Sequence, residues 1–279
     1  MRGPPPGWPH AAHSRHVAGV HRWHVQEMGA GPDLLLIHGA GGATHSWRGM
    51  MPLLARAHRV VALDLPGQGF TVRGPRGREG LEEVSADIAA LCRAEGWAPR
   101  GLVGHSAGAA VALRLAGVLG PERVALVNAA LGDFPGLAGL LFPAMAKLLA
   151  ANPLTALAVS GLATRAAAER VIRSTGSEID AEGLDCYARL FADRGHVDAT
   201  LRMMARWSLA RLRRDLPRID VPVLLLAADG DGAVPPAVSD EAAAMLPRGE
   251  ARRLPGLGHL AHEEAPERVA AAVLAFLDG

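Results

Sequence analysis

Gly104-His105-Ser106-Ala107-Gly108 lies where a short apolar run ends and a helical pattern begins. Small residues on both sides of Ser106 allow the tight strand-to-helix turn that lifts a serine hydroxyl above a sheet, with a helix N-terminus beneath it. A hydroxyl is a poor nucleophile at neutral pH, so it needs a positioned base and a buried carboxylate that holds the base in the right tautomer. His259, in Leu254-Pro255-Gly256-Leu257-Gly258-His259-Leu260 just before the last helical pattern, is the candidate base. Asp229 and Asp231, in Asp229-Gly230-Asp231-Gly232-Ala233-Val234-Pro235, are candidate acids, and Asp133 is a more distant third. The reaction would be acyl transfer, whose tetrahedral oxyanion requires two backbone N–H donors. Ala107, next to the nucleophile, supplies one candidate. Ala40, in His38-Gly39-Ala40-Gly41-Gly42, supplies the other. His105, inside the turn, is expected to point away from the hydroxyl, and His262 to lie exposed or just behind His259.

These residues need a frame that brings distant loops together. Residues 20–28 alternate in polarity and are followed by turn residues, which predicts a half-exposed antiparallel strand. Residues 34–37, 59–63, 101–103, 124–127 and 223–227 are short apolar runs of the kind that form parallel strands covered on both faces. Helical segments at 81–95, 107–119, 237–246 and 266–277 alternate with them, giving a doubly wound α/β sheet. Reacting groups collect at the carboxyl ends of such strands, which is where the Ser, Asp and His loops fall. Residues 16–130 and 216–279 are therefore assigned to the core and residues 131–215, helical and broken by Pro135, Pro143 and Pro153, to an inserted lid. Phe134, Leu141, Phe142 and Met145 are expected to roof an apolar substrate pocket. The lid's prolines and short apolar segments argue against a membrane span.

Composition narrows the class further. A net charge of +1 gives no bias toward nucleic acid, and 49% hydrophobic residues supply a large core. Residues 1–15, rich in Pro, Gly and His, have no apolar run that could act as a signal peptide, which predicts a flexible tail and a cytoplasmic protein. His10, His13 and His16 stand three apart, but no carboxylate or thiol set accompanies them, so no metal is expected. Cys92 and Cys186 predict buried thiols. Gly39 to Gly42 lacks a following Gly-Lys-Ser/Thr, and Gly67-Gln68-Gly69 lacks the third Gly of a dinucleotide fingerprint, so no nucleotide cofactor is expected.

With these residues placed, the chain from about His16 onward resembles the α/β-hydrolase superfamily, including Asp64-Leu65-Pro66-Gly67-Gln68-Gly69 after the strand at 59–63. The order Ser, acid, His along the chain agrees with that template. The resemblance selects Asp231 as the acid, because it opens an Asp-x-x-Val-Pro pattern, with Asp229 as the close competitor. Relatives often carry His where Gln68 stands, a departure that touches no assigned catalytic role. Trp8-Pro9-His10, Trp23-His24-Val25-Gln26-Glu27-Met28-Gly29, Thr44-His45-Ser46-Trp47-Arg48 and Gly104-His105-Ser106-Ala107-Gly108-Ala109 further resemble the BchO family of magnesium chelatase accessory proteins of photosynthetic bacteria. That resemblance implies a link to bacteriochlorophyll synthesis, chelatase subunits as partners and a tetrapyrrole as substrate or ligand. The residues imply a cofactor-independent serine hydrolase. The rival reading is a porphyrin-binding or chelatase accessory protein built on a hydrolase scaffold.

Overall fold

The computed structural model describes residues 3–132, 160–161 and 164–279. Phe134, Leu141, Phe142 and Met145, the expected pocket roof, and the third candidate acid Asp133 lie outside the described residues. Eight strands form one sheet: β1 (Ser14–Val17), β2 (Trp23–Met28), β3 (Asp33–Ile37), β4 (Arg59–Leu63), β5 (Gly101–His105), β6 (Arg123–Val127), β7 (Val223–Ala228) and β8 (Gly249–Leu254). Their spatial order is β1-β2-β4-β3-β5-β6-β7-β8. β2 pairs antiparallel with β1 and β4, and every other neighbouring pair is parallel. The sheet is thus the expected mostly parallel one with helices on both faces.

Side chains alternate across a strand, and the apolar runs divide accordingly. Leu35, Ile37, Val61, Leu63, Leu102 and Leu225 face one core, under the helices Leu81–Glu95 and Ala107–Leu119. Leu34, Leu36, Val60, Ala62, Val103 and Leu224 face the other, which is closed by Trp47, Met50, Met51 and the helix Pro266–Asp278. Two-sided burial is why these strands read as continuous apolar runs. The edge strands have no such requirement. β1 is Ser-Arg-His-Val and β8 is Gly-Glu-Ala-Arg-Arg-Leu, polar sequences without an apolar run, and neither strand is foreseen from the sequence.

Two further expectations are corrected here. The N-terminal segment is no tail from Trp8 onward: the Trp8 indole is buried against Phe70 and His45, Gln26 Nε2 donates to the Pro9 carbonyl at 2.8 Å, and β1 begins at Ser14. β2 is not half-exposed either, because this segment and the neighbouring loops cover its outer face and bury His24 and Gln26. Between β6 and β7, which are adjacent in the sheet, the described part of the insertion forms the helices Arg165–Ser174, Ala181–Ala192, Arg194–Arg206 and Ala210–Asp215. Among the described residues no helix is long and apolar enough to cross a membrane.

Asp64, just past β4, ties the N-terminal half together. It is fully buried, and its carboxylate accepts N–H bonds from Thr44 and Phe70 and contacts His24 Nδ1, each at 2.7 Å. Burial alone would raise its pKa, but His24, His38 and the Phe70 amide outweigh that cost and lower it to about 2 from 3.8. A depressed folded-state value means that the unfolded chain binds the proton more readily, so this stabilisation is present above pH 4 and is lost as pH falls toward 2. Its size is about 2 kcal/mol. Asp64→Asn is expected to lower unfolding stability in urea by at least that amount at pH 7 and to flatten the acid limb of the stability profile. A variant with the wild-type midpoint and acid limb would contradict this role.

Candidate active site

Ser106 stands between the last residue of β5 and the first turn of the helix Ala107–Leu119, with φ 51° and ψ −117°. A non-glycine residue reaches such a conformation only when its surroundings enforce it. Here the Ser106 N–H donates to the Val127 carbonyl at 3.0 Å, and the Ser106 carbonyl accepts from Ala109 N–H at 3.1 Å and Ala130 N–H at 3.2 Å. The flanking glycines are required by space. A Cβ on Gly108 would lie 2.2 Å from the Ile37 carbonyl oxygen, and one on Gly104 would lie 2.5 Å from the Gly108 oxygen. The turn therefore forces helix, β5 and β3 into backbone contact, with the half-buried serine side chain left at the sheet's carboxyl edge.

His259 and Asp231 are brought together across their two loops. His259 Nδ1 lies 2.8 Å from Asp231 Oδ2. The other oxygen, Asp231 Oδ1, accepts the N–H groups of Ala233 and Val234, both at 2.8 Å, in a turn that fixes the carboxylate. The Asp231 side chain is buried, whereas Asp229 is half exposed and lies 3.8 Å from Arg253. Between the two competing carboxylates the structure sets Asp231 against the histidine and turns Asp229 to the surface. A carboxylate on Nδ1 keeps the proton there and leaves Nε2 as the basic nitrogen. Among the described residues the Ser106 hydroxyl makes no hydrogen bond.

Gly39 of the glycine-rich loop after β3 packs directly on the serine: a Cβ there would lie 3.0 Å from Ser106 Cβ and 2.8 Å from His105 Nδ1. The amides of Ala40, which is exposed, and of Ala107, at the helix start, make no hydrogen bond among the described residues. The loop is held by His38, whose Nε2 accepts the Leu65 N–H at 2.9 Å, leaving Nδ1–H to donate to the Gly39 carbonyl at 2.7 Å. Gln68 holds it as well. Its Oε1 accepts the Gly41 N–H at 2.8 Å, a contact to the glycine-rich loop that sequence reasoning missed.

His105 is buried, and its Nε2–H donates to the His259 carbonyl at 2.9 Å. His262 is neither exposed nor polar in its contacts. It is fully buried, with its ring 4.3 Å from His105 and 4.7 Å from Trp47, because the short helix Ala261–Glu264 turns it into the core. Burial, reinforced by His259 and Arg48, pushes its pKa down to about 3, which keeps it neutral. Asn128, at the end of β6 with φ 47°, was not foreseen. Its Nδ2 donates to the carbonyls of Gly258 at 2.9 Å and His259 at 2.8 Å, and its Oδ1 accepts the Ala228 N–H at 2.8 Å. One buried amide thus joins β6, β7 and the histidine loop. Its only sequence signal is a polar residue directly after an apolar strand. Asn128→Asp, which sets an acceptor against two carbonyls, is expected to cost about 3 kcal/mol in urea unfolding. A loss below about 0.5 kcal/mol, the range of an ordinary surface change, would show that the amide is dispensable.

Comparison with known proteins agrees with this geometry. Residues 34–272 match the alpha/beta hydrolase family. The chain is 44% identical over 282 residues to the magnesium-chelatase 30 kDa subunit of Rhodobacter capsulatus, covering 100% of this chain and 99% of that one. Among solved structures, Cfl2 from Burkholderia cenocepacia is 28% identical with a TM-score of 0.78, covering 95% of each chain. The epoxide hydrolase CorEH, at 20% identity and a TM-score of 0.79 over 95% of this chain and 99% of that one, shares the fold. The chain therefore belongs to the α/β-hydrolase family and, within it, to the group that includes the magnesium-chelatase 30 kDa subunit.

Proposed function

We propose that this protein is a cofactor-independent serine hydrolase that cleaves an ester, thioester or similar acyl bond. The observation that carries this reading is the buried Asp231 carboxylate 2.8 Å from His259 Nδ1, on the same sheet edge as a serine held at φ 51° with Gly39 packed against its Cβ. Ser106 Oγ would attack the acyl carbon while His259 Nε2 takes its proton. The imidazolium so formed keeps its Nδ1–H on Asp231, which stabilises the charge without itself being protonated. The Ala40 and Ala107 amides would receive the oxyanion, and His259 would return the proton to the leaving group. Water, activated by the same imidazole, then cleaves the acyl-enzyme. Phe134, Leu141, Phe142 and Met145 are proposed to line the acyl or pigment side of the pocket.

The similarity to a magnesium-chelatase subunit over the full length supports a link to magnesium chelatase; the proposed substrate is a tetrapyrrole ester or a small acyl intermediate near that step of bacteriochlorophyll synthesis, with chelatase subunits as proposed partners and the cytoplasm as the proposed location. The same similarity favours a second reading, an accessory protein that holds a porphyrin and does no chemistry. Fluorescence titration with protoporphyrin separates them, because the accessory reading expects tight binding that Ser106→Ala leaves unchanged.

For the hydrolase reading, a panel of p-nitrophenyl and tetrapyrrole esters and thioesters is the test. Ser106→Ala and His259→Ala are each expected to lower kcat/KM about a thousandfold or more with the fold intact, since these groups act as a unit. Asp231→Asn is expected to be far more damaging than Asp229→Asn. Turnover retained in Ser106→Ala would overturn the nucleophile assignment, and a larger loss at Asp229 would overturn the choice of acid.

A further inference from the structure

Asp231 and His259 sit on separate loops, after β7 and β8. Among the described residues two main-chain bonds link those loops directly near the pair, from Asp229 N–H to the Leu254 carbonyl at 3.3 Å and from Gly230 N–H to the Leu257 carbonyl at 2.9 Å. Three further donors turn toward the insertion. Directly after the helix Arg165–Ser174, the carbonyl of Thr175 accepts the N–H of Gly232 at 2.9 Å and the N–H of His259 at 3.2 Å. Ser177 Oγ, fully buried, accepts the N–H of Leu260 at 2.8 Å. One carbonyl oxygen thus uses both lone pairs on the residue after the acid and on the base itself, and the next hydroxyl takes the residue after the base.

The approach is as close as backbones allow. Gly176 has φ 79°, and a Cβ there would lie 1.9 Å from the Gly230 carbonyl oxygen. A Cβ on Gly258 would lie 2.2 Å from the Gly176 oxygen, and one on Gly232 would lie 2.9 Å from the Ser174 oxygen. The turn is in its own right fastened to the helix. Thr175 N–H and Gly176 N–H donate to Ile172 and Arg173 carbonyls, both at 3.0 Å, and Thr175 Oγ1 donates to Ile172 at 2.6 Å.

We propose that the Thr175-Gly176-Ser177 turn of the insertion is the positioning clamp for Asp231 and His259, so that their alignment depends on the seating of the helix Arg165–Ser174. This rests on the hydrolytic reading of Ser106, Asp231 and His259. Gly176 and Ser177 are positioning residues. They act through the two loops, and a displacement of about 1 Å at a reacting group is enough to cost of order a hundredfold in rate.

The test uses the full-length protein and two independent readouts. One is the rate of fluorophosphonate labelling, separated into maximal rate and probe affinity. The other is the low-field proton resonance of His259 Nδ1–H, assigned by its loss in His259→Ala. Ser177→Ala is expected to lower the maximal labelling rate about tenfold, to leave probe affinity unchanged and to broaden the resonance. Ser177→Thr, which keeps the acceptor, is expected to restore both. Gly176→Ala is expected to lower the rate about a hundredfold; if it does not fold, the Ser177 pair decides. Wild-type rate and resonance in folded Ser177→Ala would overturn the clamp. If the wild type does not label at all, the hydrolytic reading fails, and the resonance alone then decides: lost in Ser177→Ala and regained in Ser177→Thr supports the clamp, and unchanged in both overturns it.

Discussion

The left-handed backbone at Ser106 is the constraint around which the rest of the site is arranged. A side-chain-bearing residue at φ 51° and ψ −117° stores about 1–3 kcal/mol of strain, and it persists because three main-chain hydrogen bonds and two glycines leave the chain no other path. Relaxing the turn would separate β5 from the following helix, and that helix from the carbonyls at the end of β3. The same geometry places Ala107 N–H at a helix start, where no earlier carbonyl can claim it, and brings Gly39 against the serine.

Around this fixed point the protein spends its buried polar groups on holding loops in place. His105 and Asn128 both donate to the His259 carbonyl, so His259 is anchored by its main chain. His38 and Gln68 do the same for the glycine-rich loop. Asp64 organises the segment behind it, joining the residues after β4 to His24 of β2 and to Thr44. Each of these groups is buried and hydrogen-bonded, which costs little once satisfied and much if a partner is lost. The described part of the insertion is bonded to this frame. Arg48 bonds both Asp180 of the insertion and Glu263 beside the histidine loop, Tyr187 donates to the same Glu263 at 2.7 Å, and Trp8 from the N-terminal segment packs in one cluster with Cys186 and Leu190.

What could be read from the sequence follows from this division of labour. The five inner parallel strands, their helices and the positions of Ser106 and His259 were legible, because two-sided burial writes an apolar run and a tight turn demands glycine. The edge strands were not, since β1 and β8 bury too little to show a pattern. Asp229 and Asp231 differ by two positions in one loop, and the feature that separates them, the turn from Asp231 Oδ1 to the Ala233 and Val234 amides, exists only in three dimensions. Asn128, Gln68 and the Thr175 carbonyl escaped notice for a related reason: they act on main-chain atoms, which any residue supplies. Of the two readings of His262, exposed or just behind His259, the structure excludes the first, because the short helix that carries it turns inward.

In the proposed hydrolase Ser106 is an activated nucleophile that depends on His259, on a chain whose similarity to a magnesium-chelatase subunit spans its full length. Reaction of the purified protein with a fluorophosphonate probe, followed by peptide mapping, addresses that claim most directly. The expected result is a single label on Ser106 that is absent in His259→Ala. A folded wild-type protein that takes no label, or a label on Ser106 that persists undiminished in His259→Ala, would contradict it.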